Sequence, residues 1–240
     1  VVNGLNVESV YEVPLMFHQQ ELDNAIMTYL QIWTGSPKLQ PWVDLIENYK
    51  NPHDVVDIAF IGKYVAHRDS YESLNEALLH GGIANRLKVN LHYIDSEFLT
   101  RRNVFEQLEL MDGVLVAPGF GERGTEGKIV AIEIARTKQI PFFGICLGMQ
   151  MAIVEFARNV AGIEDASSGE CRPDHPENVI DLMPEQDGQK ETGGTMRLGS
   201  QTTILKKGSK IAEVYNKTKI SERHRHRYEV VNNFVPKFVD

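Results

Sequence analysis

A short apolar run, Ile140 to Phe143, delivers Cys146 into the glycine-flanked turn Gly144-Ile145-Cys146-Leu147-Gly148-Met149-Gln150, and a helical pattern takes over at once. The spacing predicts a buried strand over 140–143 and a helix over 151–160, with Met151, Ile153, Val154, Phe156 and Ala157 as its apolar residues. Such a strand-to-helix turn is a nucleophile elbow, where small flanking residues let the backbone bend and a substrate approach. The helix N-terminus beneath Cys146 favours thiolate over thiol, and thiolate is the attacking species. The competing reading of such a cysteine is a buried free thiol that behaves as a small hydrophobe.

The elbow sits within a regular alternation. Apolar strands are expected at Val55 to Gly62, Leu87 to Ile94 and Gly113 to Ala117, separated by helices at about 71–85 and 126–137. Strands separated by helices of this length imply an α/β fold with a doubly wound, mostly parallel sheet. Ligands of such sheets collect beyond the carboxyl ends of the strands, where the loop Pro118-Gly119-Phe120-Gly121 and Cys146 both fall. A backbone N–H of that loop and one beside Cys146 could therefore cradle an oxyanion.

Upstream, Leu22, Ile26, Tyr29, Leu30 and Ile32 predict a helix over 17–33, closed by Gly35-Ser36-Pro37, and a second short helix covers Trp42 to Tyr49. Downstream of about residue 163, turns are expected at Asp187-Gly188 and Gly193-Gly194. Strands are expected at Val179 to Leu182, Met196 to Leu198 and Thr202 to Leu205, and strand-like residues continue through Val230 to Asp240.

At 240 residues and 42% hydrophobic content the chain can bury a substantial core. A net charge of −8 gives no global basic field, so nucleic acid is not an expected partner. Two cysteines, Cys146 and Cys171, are too few for a disulfide framework and suit a reducing, cytoplasmic setting. No apolar stretch is long enough to cross a bilayer, so no membrane partner is expected.

Two polar constellations remain. Glu170 follows Ser167-Ser168-Gly169 in a loop that could aim a carboxylate at the elbow, or could simply be solvated. In Arg223-His224-Arg225-His226-Arg227-Tyr228, a strand would put the three arginines on one face and both histidines on the other. That ribbon suits phosphate, a substrate carboxylate or a charged, solvated edge. A metal site is the weakest reading, because no cysteine or carboxylate lies at closed-zinc spacing from the histidines. A cysteine nucleophile also needs a base, and His175-Pro176-Glu177 is a candidate, though in a turn-rich stretch that reads as a surface loop.

Four motifs together resemble one family. They are Gly119-Phe120-Gly121-Glu122-Arg123-Gly124, the elbow, Gly193-Gly194-Thr195-Met196-Arg197-Leu198-Gly199, and Glu222-Arg223-His224-Arg225-His226-Arg227-Tyr228-Glu229-Val230. The chain resembles the glutamine amidotransferase domain of the CTP synthases, a class I, triad-type family with a flavodoxin-like fold. The resemblance extends to Val7-Glu8-Ser9-Val10-Tyr11-Glu12-Val13-Pro14, which is similar to the end of that family's synthetase (amidoligase) domain. It divides the chain into 1–14, the synthetase end; 15–53, a helical interdomain linker; and 54–240, the amidotransferase domain.

The resemblance implies glutamine hydrolysis at Cys146 through a glutamyl thioester, with oxyanion-hole N–H groups from Gly119 and Leu147. Gly148, Met149, Gln150, Glu170 and Arg227 are implied to hold glutamine, with Glu170 suited to its α-amino group and Arg227 to its α-carboxylate. It implies no cofactor in this domain. ATP and Mg2+ serve the synthetase domain, where the ammonia aminates UTP to CTP. GTP is the allosteric activator, with Phe120 lining the surface that receives it, and the whole enzyme is a homotetramer. Two departures stand out: Ala117-Pro118 precedes Gly119 where the family usually has a further glycine, and the family's His-Pro-Glu-Phe motif is absent before Asp240. The second makes the chain, in expectation, a C-terminally truncated piece that hydrolyses glutamine slowly or not at all for want of its base. The remaining alternatives are a related cysteine hydrolase and a non-catalytic binding or scaffold module of the same fold.

Overall fold

The computed structural model describes residues 1–183 and 196–239, which fall into two compact units. The turns expected at Asp187-Gly188 and Gly193-Gly194, with the first half of the Gly193 to Gly199 motif, lie outside the described residues.

One unit comprises residues 1–58 and 67–91. Its helices are α1 (Val13–Gln19), α2 (Leu22–Leu30), α3 (Gln40–Lys50) and α4 (Glu72–Asn85). Pro14 and Pro41 lie in the first turns of α1 and α3, where a missing N–H costs nothing. The single helix expected over 17–33 is broken: Glu21 turns left-handed at φ 57°, and the His18 imidazole reaches across the break to Asp23 at 2.8 Å. No residue of α1 to α3 is buried, and the buried apolar residues of this unit, Tyr71 and Ile83, lie at and on α4. The Tyr11 hydroxyl meets Glu76 and His80 on α4, and Lys50 meets Glu12 at 2.7 Å.

The other unit comprises residues 59–66 and 92–240 and carries the ends of β1 (Asp54–Gly62) and β2 (Leu87–Asp95). After them come α5 (Val104–Leu108), β3 (Gly113–Val116), α6 (Thr125–Thr137), β4 (Phe142–Gly144) and α7 (Leu147–Asn159). The sheet order is β2-β1-β3-β4, and β3 and β4 run parallel with Val114 opposite Phe142 and Val116 opposite Gly144. The chain changes direction across the sheet between β1 and β3, which makes the crevice at their carboxyl ends the natural ligand position. Ala59, Ile61, Val114 and Val116 from the strands pack with Ile129, Ile132, Leu147, Met151 and Val154 from α6 and α7. On α6 the buried stripe Lys128, Ala131, Ile132 and Ala135 follows the i, i+3, i+4, i+7 spacing, with a lysine at its head.

Three further expectations need correction. The elbow strand is not buried: β4 is short and stands at the sheet edge, leaving Phe142 and Phe143 exposed. The two strands expected at 196–198 and 202–205 are one, β7 (Arg197–Ile204), because its pairing with β8 (Lys219–His226) runs unbroken through Gly199 to Gln201. The strand-like residues after Val230 form a short helix, α9 (Pro236–Val239), preceded by a 3₁₀ turn; there Phe234 and Phe238 pack on the core at helical spacing. A second small sheet joins β5 (Ser167–Ser168), β6 (Asn178–Leu182) and β9 (Tyr228–Val230), and α8 (Lys210–Tyr215) lies between β7 and β8 in sequence.

Candidate functional site

β4 ends at Gly144 and α7 begins at Leu147, so Cys146 turns the chain, with φ 52° and ψ −110°. An L side chain adopts such a conformation only under constraint, at a cost of about 1–3 kcal/mol. Close packing on either side supplies the constraint. A Cβ on Gly144 would lie 2.7 Å from the Gly148 carbonyl, and one on Gly148 would fall onto the Val116 carbonyl oxygen. Only glycine at both positions lets α7 seat against β3 with the elbow closed.

Cys146 is partly buried, with Sγ 3.7 Å from the Arg225 carbonyl oxygen. Burial pushes its thiol above the ordinary range, and the Glu170 charge pushes the same way. The Leu147 N–H, Lys128 and Arg225 pull it down, so the helix N-terminus acts in the expected sense but loses to desolvation. The thiol therefore needs a base.

Residues 117–121, following β3, form the facing loop. Ala117 N–H donates to Ile61 at 2.9 Å, and the Ala117 carbonyl accepts from Lys128 Nζ at 2.8 Å. Lys63 Nζ donates to the Phe120 and Gly121 carbonyls, both at 2.6 Å, and Gly121 N–H donates to Glu170 Oε1 at 2.7 Å. Gly119 N–H takes part in none of these bonds. Side chains of Leu147, Lys128 and Lys63 all come within 3.7 Å of where a Gly119 Cβ would be.

The structure thus sets Gly119 beside Leu147 and Glu170 on the Gly121 N–H, with the Glu170 charge acting on Cys146. Gln150 is buried, but its side-chain amide donates to the Tyr228 carbonyl at 3.1 Å and ties α7 to β9. Gly148 is a packing residue, Met149 is partly exposed, and Phe120 is half exposed at the loop tip. Arg227 does not continue the arginine face of the ribbon. Arg223 and Arg225 are exposed on β8 with His224 and His226 on the other face, whereas the chain breaks at Arg227, whose carbonyl accepts from Met183 N–H at 3.1 Å. The break carries Arg227 to the sheet of β9, where its charge and that of Glu170 both act on the Tyr228 phenol. His175 faces Asp165 at 3.0 Å and accepts from Glu177 N–H at 3.3 Å, so both ring nitrogens are engaged within its own loop region.

Two residues of the site escaped the sequence reading, Lys63 and Lys128. Both are buried. Burial and the Lys63 charge press Lys128 down to about 7, against the pull of Cys146 and Glu170. Lys63 is likewise lowered by burial, with Glu170 opposing. The signal for Lys128 was its place at the head of an apolar helical stripe, where a charge is out of pattern.

A model of the family "Glutamine amidotransferase class-I" matches residues 66–240. The chain belongs to this family. It is 52% identical over 235 residues to a CTP synthase of Trichlorobacter lovleyi, covering 98% of this chain and 44% of that protein. It is 45% identical over 251 residues to a CTP synthase of Desulfotalea psychrophila, covering 100% of this chain and 46% of that one. The amidotransferase chain therefore spans a little under half the length of these relatives. Among solved structures it is similar to the Trypanosoma brucei CTPS glutaminase domain with bound acivicin, at TM-score 0.68 and 37% identity, covering 76% of this chain and 71% of that one. The α/β fold with a parallel sheet and N-terminal helices agrees with that membership. Among the described residues no helix is long and apolar enough to cross a membrane.

Proposed function

We propose that this chain is the glutaminase part of a CTP synthase, and that Cys146 attacks the side-chain amide carbonyl of glutamine. The sulfur gives up its proton and forms a C–S bond, the carbonyl oxygen becomes an oxyanion between Gly119 N–H and Leu147 N–H, and the C–N bond then breaks as the nitrogen takes up one proton, replacing that lost by the thiol, and leaves as ammonia. Water opens the thioester to glutamate. Glu170, with Oε1 already on Gly121, offers its second oxygen to the α-ammonium, and Arg227 receives the α-carboxylate. The observation that carries this reading is a juxtaposition: an elbow cysteine, a glycine N–H outside the facing loop's own bonds, and a carboxylate whose charge acts on the thiol.

The thiol's own surroundings support slow turnover by these residues, since burial raises Cys146 and His175 is held elsewhere. The longer enzyme's chemistry follows by likeness to its relatives: ammonia passes to a synthetase domain that uses ATP, Mg2+ and UTP, GTP activates at the surface around Phe120, and the tetramer works in the cytoplasm. Residues 1–14 would belong to that domain and 15–53 to the linker.

The test is covalent labelling of Cys146 by acivicin, the compound bound in the similar trypanosomal structure. Labelling that glutamine suppresses, and that Cys146→Ala abolishes, is the expected result. Labelling indifferent to glutamine would sink the assignment.

A further inference from the structure

The loop between β3 and α6 is strung on three buried or half-buried charges. Lys128 holds the Ala117 carbonyl, Lys63 holds the Phe120 and Gly121 carbonyls, and Glu170 holds the Gly121 N–H. Pro118 has no N–H to give. The polar groups on both sides of Gly119 are thus fixed, while its own N–H is left out of these bonds. Lys128 stands out because it is fully buried, projects from α6, and ends 3.7 Å from the position a Gly119 Cβ would take. Burying an ammonium for one carbonyl is costly, and a methionine of similar length would fill the same space without that cost.

We infer that Lys128 is a positioning residue of the glutaminase site, whose Nζ anchors the Ala117 carbonyl and so aims the Gly119 N–H at the oxyanion. This inference rests on the glutaminase reading only for the identity of the oxyanion. The aim of the loop is a property of this chain. The groups facing the ammonium are Lys63, Glu170 and Cys146, and burial with the Lys63 charge weakens its hold on a proton while the other two strengthen it.

Two measurements on Lys128→Met test it in the full polypeptide. Amide hydrogen exchange over residues 117–121 is expected to quicken at least several-fold while the melting temperature holds or rises. Cys146 is then labelled with 6-diazo-5-oxo-L-norleucine, a glutamine-shaped electrophile whose carbonyl needs the oxyanion hole, and with iodoacetamide, whose displacement does not. Removing one oxyanion donor costs about 10²–10³ in rate, so misaiming it should slow the first reagent by roughly tenfold or more and leave the second within about threefold. Unchanged loop exchange, or equal slowing with both reagents, overturns the inference. Should Lys128→Met not fold, Lys128→Gln, a shorter donor, is read by the same two criteria. If the unsubstituted protein resists the glutamine-shaped reagent, the glutaminase reading fails, and loop exchange still decides the role of Lys128.

Discussion

Glu170 and Gly121, 49 residues apart, share a 2.7 Å hydrogen bond in which the backbone N–H donates to the carboxylate. One oxygen of Glu170 shapes the loop that carries Gly119, and the same charge raises the Cys146 thiol. Loop shape and thiol reactivity are therefore linked through one carboxylate.

Glu170→Gln keeps an acceptor for Gly121 but removes the charge that would meet an ammonium. Hydrogen bonds to charged groups contribute about 1.5–3 kcal/mol, so the KM for glutamine should rise roughly ten- to a hundredfold. The Cys146 thiol should ionise at lower pH in the variant, because a raising charge is gone. Iodoacetamide labelling across pH reads that shift; a shift upward would contradict it.

Cys146 occupies a conformation that glycine adopts without strain. Cys146→Gly should therefore be more stable than Cys146→Ala by about 1 kcal/mol, although glycine is ordinarily the more destabilising residue near a helix. Urea midpoints of the two variants decide it. Alanine equal or better would mean the elbow is not strained.

Gly148→Ala drives a methyl group into the Val116 carbonyl, which is backbone and cannot swing aside. Overpacking of this kind costs about 1–3 kcal/mol, and the displaced helix start should also misplace Leu147 N–H. Both a lower urea midpoint and loss of glutamine-protected labelling are expected. A variant of normal stability would show that α7 can lift from β3 freely.

Stability should carry a signature of Lys128. Its folded-state pKa, about 7, lies below its ordinary 10.5, so between those values the unfolded chain holds a proton that the folded chain lacks. Unfolding free energy therefore rises with pH across that window, and below about 7 the full penalty of burying the charge applies. The melting temperature of the unsubstituted protein, relative to Lys128→Met, should climb from pH 6.5 towards pH 9.5. Parallel curves would refute the assignment of a depressed lysine.

The elbow could be read from contiguous residues because its physics is local. A strand pattern, two glycines, a cysteine and a helix pattern specify a turn whatever lies around it, and the alternation of strands and helices specifies a parallel α/β sheet. Family likeness then pointed to Glu170 and Arg227, which no local pattern distinguishes from surface charges. Packing settled the rest, because burial and pairing join residues distant in the chain. It placed Phe142 and Phe143 at an open edge, broke the arginine ribbon at Arg227 so that its carbonyl met Met183 N–H, and let desolvation outweigh the helix N-terminus at Cys146. Lys63 and Lys128 mark the difference most plainly: in the chain each is one lysine among many, and only the fold encloses both against the same five-residue loop.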